Sequence, residues 1–220
     1  MINNRLILAS AAAYFAGRGY FVNTNYNVPG TDNVVVDMAA VMPILKELKY
    51  RTQKGFAPSG ILAHMIDAGW VTVQEIVKKT GYKLSFVGET LEDAAREGWV
   101  EIDISGDEAR CRIKDYRVPA KECILVFSGI EGLESKLAIF QSLRGACNAG
   151  YFIFPYKLDA GITEKIVSTG AGIMHFYEQH GILQEIIPAD FCEIQDLKLF
   201  AMLTERVLYD NFWIQREEII

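Results

Sequence analysis

Basic side chains cluster in two separate stretches of the sequence. Residues 44–58 carry four cations against the single acid Glu47, and residues 105–121 carry five cations against three acids. Clustered cations bind phosphate oxygens and make such binding salt-sensitive, although a charge run can also be an ordinary solvated face. The candidate nucleic-acid-binding residues in these stretches are Lys46, Lys49, Arg51, Lys54, Arg110, Arg112, Lys114 and Arg117.

The formal net charge of the chain is -6 at pH 7. Any binding of phosphate groups must therefore come from a local basic patch and not from the whole surface. Apolar residues make up 50% and charged residues 23% of the 220 residues, which is typical of a globular protein rather than a disordered one. No apolar run approaches the roughly 20 residues that span a bilayer, so we expect no membrane partner.

The chain's start and its cysteines predict a cytoplasmic setting. Residues 1–20 could pass for a weak signal peptide, but Tyr14, Phe15 and Arg18 replace the small residues of a cleavage site. An amphipathic first helix is the favoured interpretation. The four cysteines form no CxxC pair, which leaves a zinc site unsupported and favours a reducing compartment.

Residues 58–118 show the order of elements typical of a winged helix-turn-helix domain. The pattern predicts helices over 59–69, 72–81 and 83–97, and then a two-stranded hairpin. Thr72 and Glu75 predict a capping box at the second helix. The stretch GWVTVQEIVKKTGYKLSFVGETLEDAAREGWVEI also resembles the winged-helix family, with LSFVGETLEDAAREG at the recognition position.

The charge of the predicted recognition helix does not suit DNA. Residues 60–104 hold four basic and eight acidic residues, and Lys83 is the candidate contact at this helix. We therefore expect DNA contact to run mainly through the hairpin, or wing, and through residues 44–57, which are predicted as a basic linker. Such contact would be directed at the phosphate backbone.

The flanking segments, 1–43 and 119–220, predict a discontinuous α/β domain. Their alternation of apolar strands and helices predicts a mostly parallel sheet, with a helix over 162–180 and a last strand over 183–187. KLAIFQSLRGACNAGYFIFP and STGAGIMHFYEQHGILQEIIPA resemble segments of the restriction-endonuclease-like, or PD-(D/E)xK, fold. The resemblance implies a mixed sheet flanked by helices, into which the winged helix is inserted.

The same resemblance implies a nuclease site with a divalent metal held by acids on adjacent strands and a lysine nearby. Asp37 matches the strand aspartate and is the candidate metal ligand, and Gln141 matches the helix glutamine. The Glu-x-Lys position falls at residues 126–129, which carry neither an acid nor a base. Two replacements stay open, namely Glu131, Glu134 and Lys136 beyond that strand, or the run Glu47–Leu48–Lys49.

Three functions therefore remain. The leading hypothesis is a nucleic-acid-associated protein whose nuclease-like scaffold does not cut, because one aspartate is a poor Mg²⁺ site. The second is a Mg²⁺-dependent DNA endonuclease with a rearranged site. The third is a protein-interaction module that forms a homodimer through an amphipathic C-terminal helix over 194–212.

Overall fold

The computed structural model describes residues 4–31, 34–106, 108–129 and 131–217, with side chains as far as 212. The helices are α1 (Asn4–Ala16), α2 (Leu45–Lys54), α3 (Ser59–Leu62), α4 (Val73–Thr80), α5 (Leu84–Arg96), α6 (Leu133–Leu143), α7 (Ala160–Val167) and α8 (Leu197–Glu217). The strands are β1 (Phe21–Asn27), β2 (Val35–Pro43), β3 (Val71–Thr72), β4 (Val100–Asp103), β5 (Arg110–Ile113), β6 (Ala120–Ser128), β7 (Ala149–Phe154), β8 (Gly172–Tyr177) and β9 (Ile182–Ile187).

The two flanking segments form one mixed sheet of six strands, in the order β1-β2-β6-β7-β8-β9. Only the β6–β7 and β7–β8 pairs are parallel, and the other three pairs are antiparallel. The prediction of a mostly parallel sheet is therefore wrong. Two of the antiparallel pairs, β1–β2 and β8–β9, join strands that follow each other along the chain after a short connection, and connections of that length can join only antiparallel strands.

The predicted helix over 162–180 ends at Val167, and β8 occupies its second half. Gly170 has a φ of +79°, which interrupts the helix. At Gly172 a Cβ would lie 2.6 Å from Ala189 N and 2.6 Å from the Tyr151 ring, so only glycine fits this close approach of chains. The run after it, IMHFY, contains the β-branched and aromatic residues that pack well in strands.

Helices cover both faces of this sheet. α1 packs Ile7, Ala11 and Phe15 against one face, and α6, α7 and α8 pack against the other. On the second face the Phe127 and Phe152 rings stack with centroids 5.0 Å apart, and the Phe140 ring meets both edge-on. The α/β architecture with a mixed sheet between helices is confirmed.

We expect Gly150→Ala to destabilise the protein by about 1–3 kcal/mol, because it overpacks this aromatic cluster. The added Cβ would lie 2.8 Å from Phe140 Cζ and closer to two other ring carbons. Urea denaturation measures the change. Gly88→Ala is the matched control, since a Cβ there meets nothing within 4 Å and helix α5 favours alanine. A Gly150→Ala variant as stable as the wild type would contradict this packing.

The segment inserted between β2 and β6 carries α3, α4 and α5 and a three-stranded sheet in the order β3-β5-β4. The predicted capping box is present, with Glu75 N donating to Thr72 Oγ1 and Thr72 N donating to Glu75 Oε2. α5 matches the predicted third helix closely. The first helix is shorter than predicted, since α3 passes into a 3-10 turn over Ala63–Met65.

Helix α8 uses its apolar face within its own chain. Phe200, Leu203 and Val207 lie in the core beneath the six-stranded sheet, and Ala201 packs beside the inserted segment. The structure therefore does not support the predicted dimer contact through residues 194–212, because Phe200, Leu203 and Val207 are buried within the chain. Within the described chain, no helix is long and apolar enough to cross a membrane.

Candidate nucleic-acid interface

The Asp37 side chain lies where β2 meets the end of β6. Its Oδ2 accepts hydrogen bonds from Ser128 N at 2.7 Å, from Ser128 Oγ at 3.2 Å and from Lys136 Nζ at 2.9 Å. Lys136 reaches over from α6 and also donates to Ser128 O at 2.6 Å. The site therefore joins one carboxylate to one ammonium group, and the sequence did not indicate the part played by Ser128.

The other residues of the predicted nuclease site do not join Asp37. The Glu134 carboxylate is exposed and pairs with Lys165, and neither Glu131 nor Gln141, which are both exposed, bonds to Asp37. Across the described ranges, no group of three or more His, Cys, Asp or Glu residues is placed to hold a metal ion. A single carboxylate that is already paired with an ammonium group is a weak ligand set for Mg²⁺.

The second replacement, Glu47–Leu48–Lys49, is wrong for a structural reason. These residues lie on helix α2 and not on a strand of the sheet. The Glu47 carboxylate faces Arg51, at 3.3 Å from Nη1, and is largely buried. It is therefore engaged by a neighbouring cation.

Helix α2 and the segment after β5 together line a groove of about 550 Å³. We call it the basic groove, and it is lined by Lys46, Glu47, Lys49, Tyr50, Gln53, Asp115 and Arg117. Lys46 and Lys49 are exposed on one face of α2, and the Arg117 side chain is 71% exposed. Three of the predicted cations, from stretches far apart in the sequence, are thus brought to one place.

Arg51 was predicted to contact nucleic acid, and this prediction is wrong because the residue is only 1% exposed. Its guanidinium lies 2.7 Å from Glu205 Oε1 on α8 and also pairs with Glu47. It further donates to the main-chain oxygen of Arg117 and lies over the Trp99 ring, 5.0 Å from the centroid. Arg51 thus fixes one wall of the basic groove instead of reaching a ligand.

Two opposing effects act on the pKa of Glu205, the buried partner of Arg51. Burial raises the pKa of Glu205, and the adjacent Arg51 guanidinium acts against this rise. Removing the cation would leave the carboxyl group buried without its countercharge, which is unfavourable. The pair therefore ties α2 to α8.

The remaining predicted cations lie outside the lining of the basic groove. Lys54 is half-buried, donating to Gly98 O at 2.9 Å with its Nζ 3.9 Å from the Trp99 ring centroid. Arg110 and Arg112 are exposed on β5, where Arg112 pairs with Glu101. Lys83, before α5, and Lys114, after β5, are exposed but do not line the groove.

A second cleft, of about 500 Å³, separates α5 from α8 and was missed from the sequence. Tyr82 and Phe86 line it with half-exposed rings whose centroids are 5.3 Å apart, and Arg206 lines it from α8. In the sequence, the aromatic residues Tyr82 and Phe86 on either side of Lys83 could have indicated this cleft. Exposed rings of this kind can stack with bases.

No protein-family model, curated protein or solved structure matches the chain, so the geometry of its own residues carries the functional argument.

Proposed function

We propose that the chain is a nucleic-acid-associated protein that holds a phosphate backbone in the basic groove and does not cut it. Residues 58–118 then act as a winged helix-turn-helix module, and the flanking segments act as a restriction-endonuclease-like scaffold. The order of elements in the inserted segment supports the first assignment. The helix-covered mixed sheet, with Asp37 beside the end of β6, supports the second.

The observation that carries the proposal is the meeting of Lys46, Lys49 and Arg117 in one groove of an acidic protein. Of the two acids in the lining, Glu47 pairs with the buried Arg51 and also lies 3.9 Å from Arg117 Nη1. Counting both acids, Glu47 and Asp115, against the three cations still leaves the lining of the groove with a net positive charge. Local cations of this kind supply most of the affinity for a phosphate backbone.

The acidic composition of α5 points away from a recognition helix that enters the major groove. Glu89, Glu92 and Asp93 are exposed on it. Their charges repel phosphates, so contact through α2 and the segment after β5 is favoured over contact through α5. We therefore expect binding that depends little on base sequence.

A gel-shift titration at low salt against duplex, branched and single-stranded DNA tests whether the protein binds at all. The proposal expects a retarded complex with at least one of these, and complexes of similar affinity for duplexes of unrelated sequence. An absence of retardation for all three would overturn it.

The Asp37 site gives a separate test of the non-catalytic part of the proposal. We expect millimolar MgCl₂ or MnCl₂ to leave the Tm unchanged, because a ligand stabilises a fold only when it binds the folded state. Plasmid DNA should remain intact under the same conditions. The control is Asp37→Asn, whose Tm should likewise not change when either metal is added. A metal-dependent rise in Tm that Asp37→Asn abolishes would show a cation site and revive the endonuclease hypothesis.

A further inference from the structure

Cys192 and Cys147 come close together although 45 positions separate them in the sequence numbering. Cys192 lies between β9 and α8, and Cys147 lies just before β7. Cys192 N donates to Asn148 O at 2.8 Å, and Asn148 Nδ2 donates back to Cys192 O at 3.1 Å. These two bonds hold the segment carrying Cys192 against the residue that follows Cys147.

The guanidinium group of Arg144 contacts Cys192 and influences Cys147. Arg144 Nη2 lies 2.7 Å from Cys192 Sγ, and the same guanidinium acts against the rise in the pKa of Cys147 that burial causes. Arg144 is itself fixed, because it donates to Asp190 O at 2.6 Å and to Asn148 O at 3.2 Å. Since Arg144 and Asn148 both bond to Cys192, and Asn148 directly follows Cys147, the two cysteines lie in the same small region of the structure.

The two thiols differ in access to solvent. Cys192 is partly exposed, whereas Cys147 is buried, as are Cys111 and Cys123. Burial raises the pKa of Cys147 to about 11, and Arg144 acts in the opposite direction. A partly exposed thiol beside a fixed cation is the arrangement found at reactive cysteines, and a second thiol nearby can resolve its oxidised form.

We propose that Cys192 is a peroxide-reactive thiol and that Cys147 resolves it by forming an intramolecular disulfide. The Cys192 thiolate attacks one oxygen of hydrogen peroxide, the O–O bond breaks, and the departing hydroxide takes a proton to leave as water. Cys192 is then a sulfenic acid. The Cys147 sulfur, as it loses its proton, attacks Cys192 Sγ, the S–O bond breaks and a second water leaves. Two thiols are oxidised by two electrons in total, and one peroxide is reduced to two waters.

The resulting disulfide would lock the segment before α8 onto the turn before β7. That segment is already hydrogen-bonded to this turn, since Gln195 N and Asp196 N both donate to Gly145 O at 2.8 Å. The backbone on either side of Cys192 is therefore already attached to the residues on either side of Cys147. This inference does not depend on nucleic-acid binding.

The test treats the full-length protein with hydrogen peroxide, blocks the remaining thiols with N-ethylmaleimide and maps the cysteines by mass spectrometry. The expected product is a peptide pair linked through Cys147 and Cys192, with Cys111 alkylated. In Cys147→Ser, Cys192 should stay a sulfenic acid that dimedone traps. In Cys192→Ser, no such disulfide should form.

The Arg144→Met variant tests whether the guanidinium group increases the reactivity of Cys192. We expect Cys192 in this variant to react about tenfold more slowly with peroxide, and the rate to recover in part in Arg144→Lys. The matched control is Cys111→Ser, which should leave both the rate and the product unchanged. The proposal is overturned if Cys192 reacts no faster than Cys111 in the native wild type, or if the linked peptide is absent. The wild-type mapping decides the question even if the Arg144 variants fold poorly.

Discussion

Replacing Lys46, Lys49 and Arg117 together by glutamate is expected to weaken duplex DNA binding by about a hundredfold at moderate salt. The three side chains line one groove, and each change turns an attraction for phosphate into a repulsion. The fold should persist, because Lys46 and Lys49 are exposed and the Arg117 side chain is 71% exposed. Fluorescence anisotropy with a labelled duplex measures the affinity.

A control with the same change in net charge separates a local site from a general charge effect. Lys121, Lys157 and Lys198 are also exposed but do not line the basic groove. Replacing all three by glutamate should reduce the affinity much less than the groove variant does. Equal losses in the two triple variants would mean that DNA is held by the charge of the whole protein and not by the groove.

Arg51→Ala is expected to lower the free energy of unfolding by about 3–5 kcal/mol, which is the usual cost of leaving a buried charge without its partner. Arg51 and Glu205 have side chains that are 0% and 1% exposed, with 2.7 Å between Nη2 and Oε1. Truncation also removes the donor to the Arg117 main chain, so the wall of the basic groove should loosen and DNA binding should weaken. Urea denaturation and anisotropy measure the two effects.

The exposed pair Arg112–Glu101 supplies the comparison for Arg51. Its side chains are 48% and 46% exposed, so Arg112→Ala should cost no more than about 1 kcal/mol. The double variant Arg51→Ala/Glu205→Ala should be less destabilised than the sum of the two single variants, because the second change removes the stranded acid. Strict additivity would contradict a direct coupling between α2 and α8.

Helical periodicity explains why the basic stretch divides into exposed and buried side chains. On a helix, Lys46, Lys49, Tyr50 and Gln53 share one face, and Glu47 and Arg51 share another. Treating residues 44–57 as a linker concealed this separation. Even with the helix assigned, the sequence could not indicate that the charged Glu47–Arg51 face is the buried one, because its partner Glu205 lies 154 positions away.

Features that depend on neighbouring residues were predicted well from the sequence, and pairings between residues far apart in the sequence were not. Thr72 and Glu75 gave a correct capping box because both partners lie within one turn of helix. The boundary at Val167 was missed because the apolar run after Gly172 suits a helix or a strand equally by periodicity. Lys136 was a candidate near Asp37, but its bond depends on how α6 packs across the end of β6, which only the fold decides.

The salt dependence of DNA affinity tests the central claim most directly. The logarithm of the binding constant is plotted against the logarithm of the salt concentration for the wild type and for Lys46→Glu/Lys49→Glu/Arg117→Glu. If these three side chains neutralise phosphates, the variant's line should be shallower by about 2 to 3, since each phosphate contact contributes roughly 0.9 to the slope. Two parallel lines would show that the basic groove does not contact the backbone.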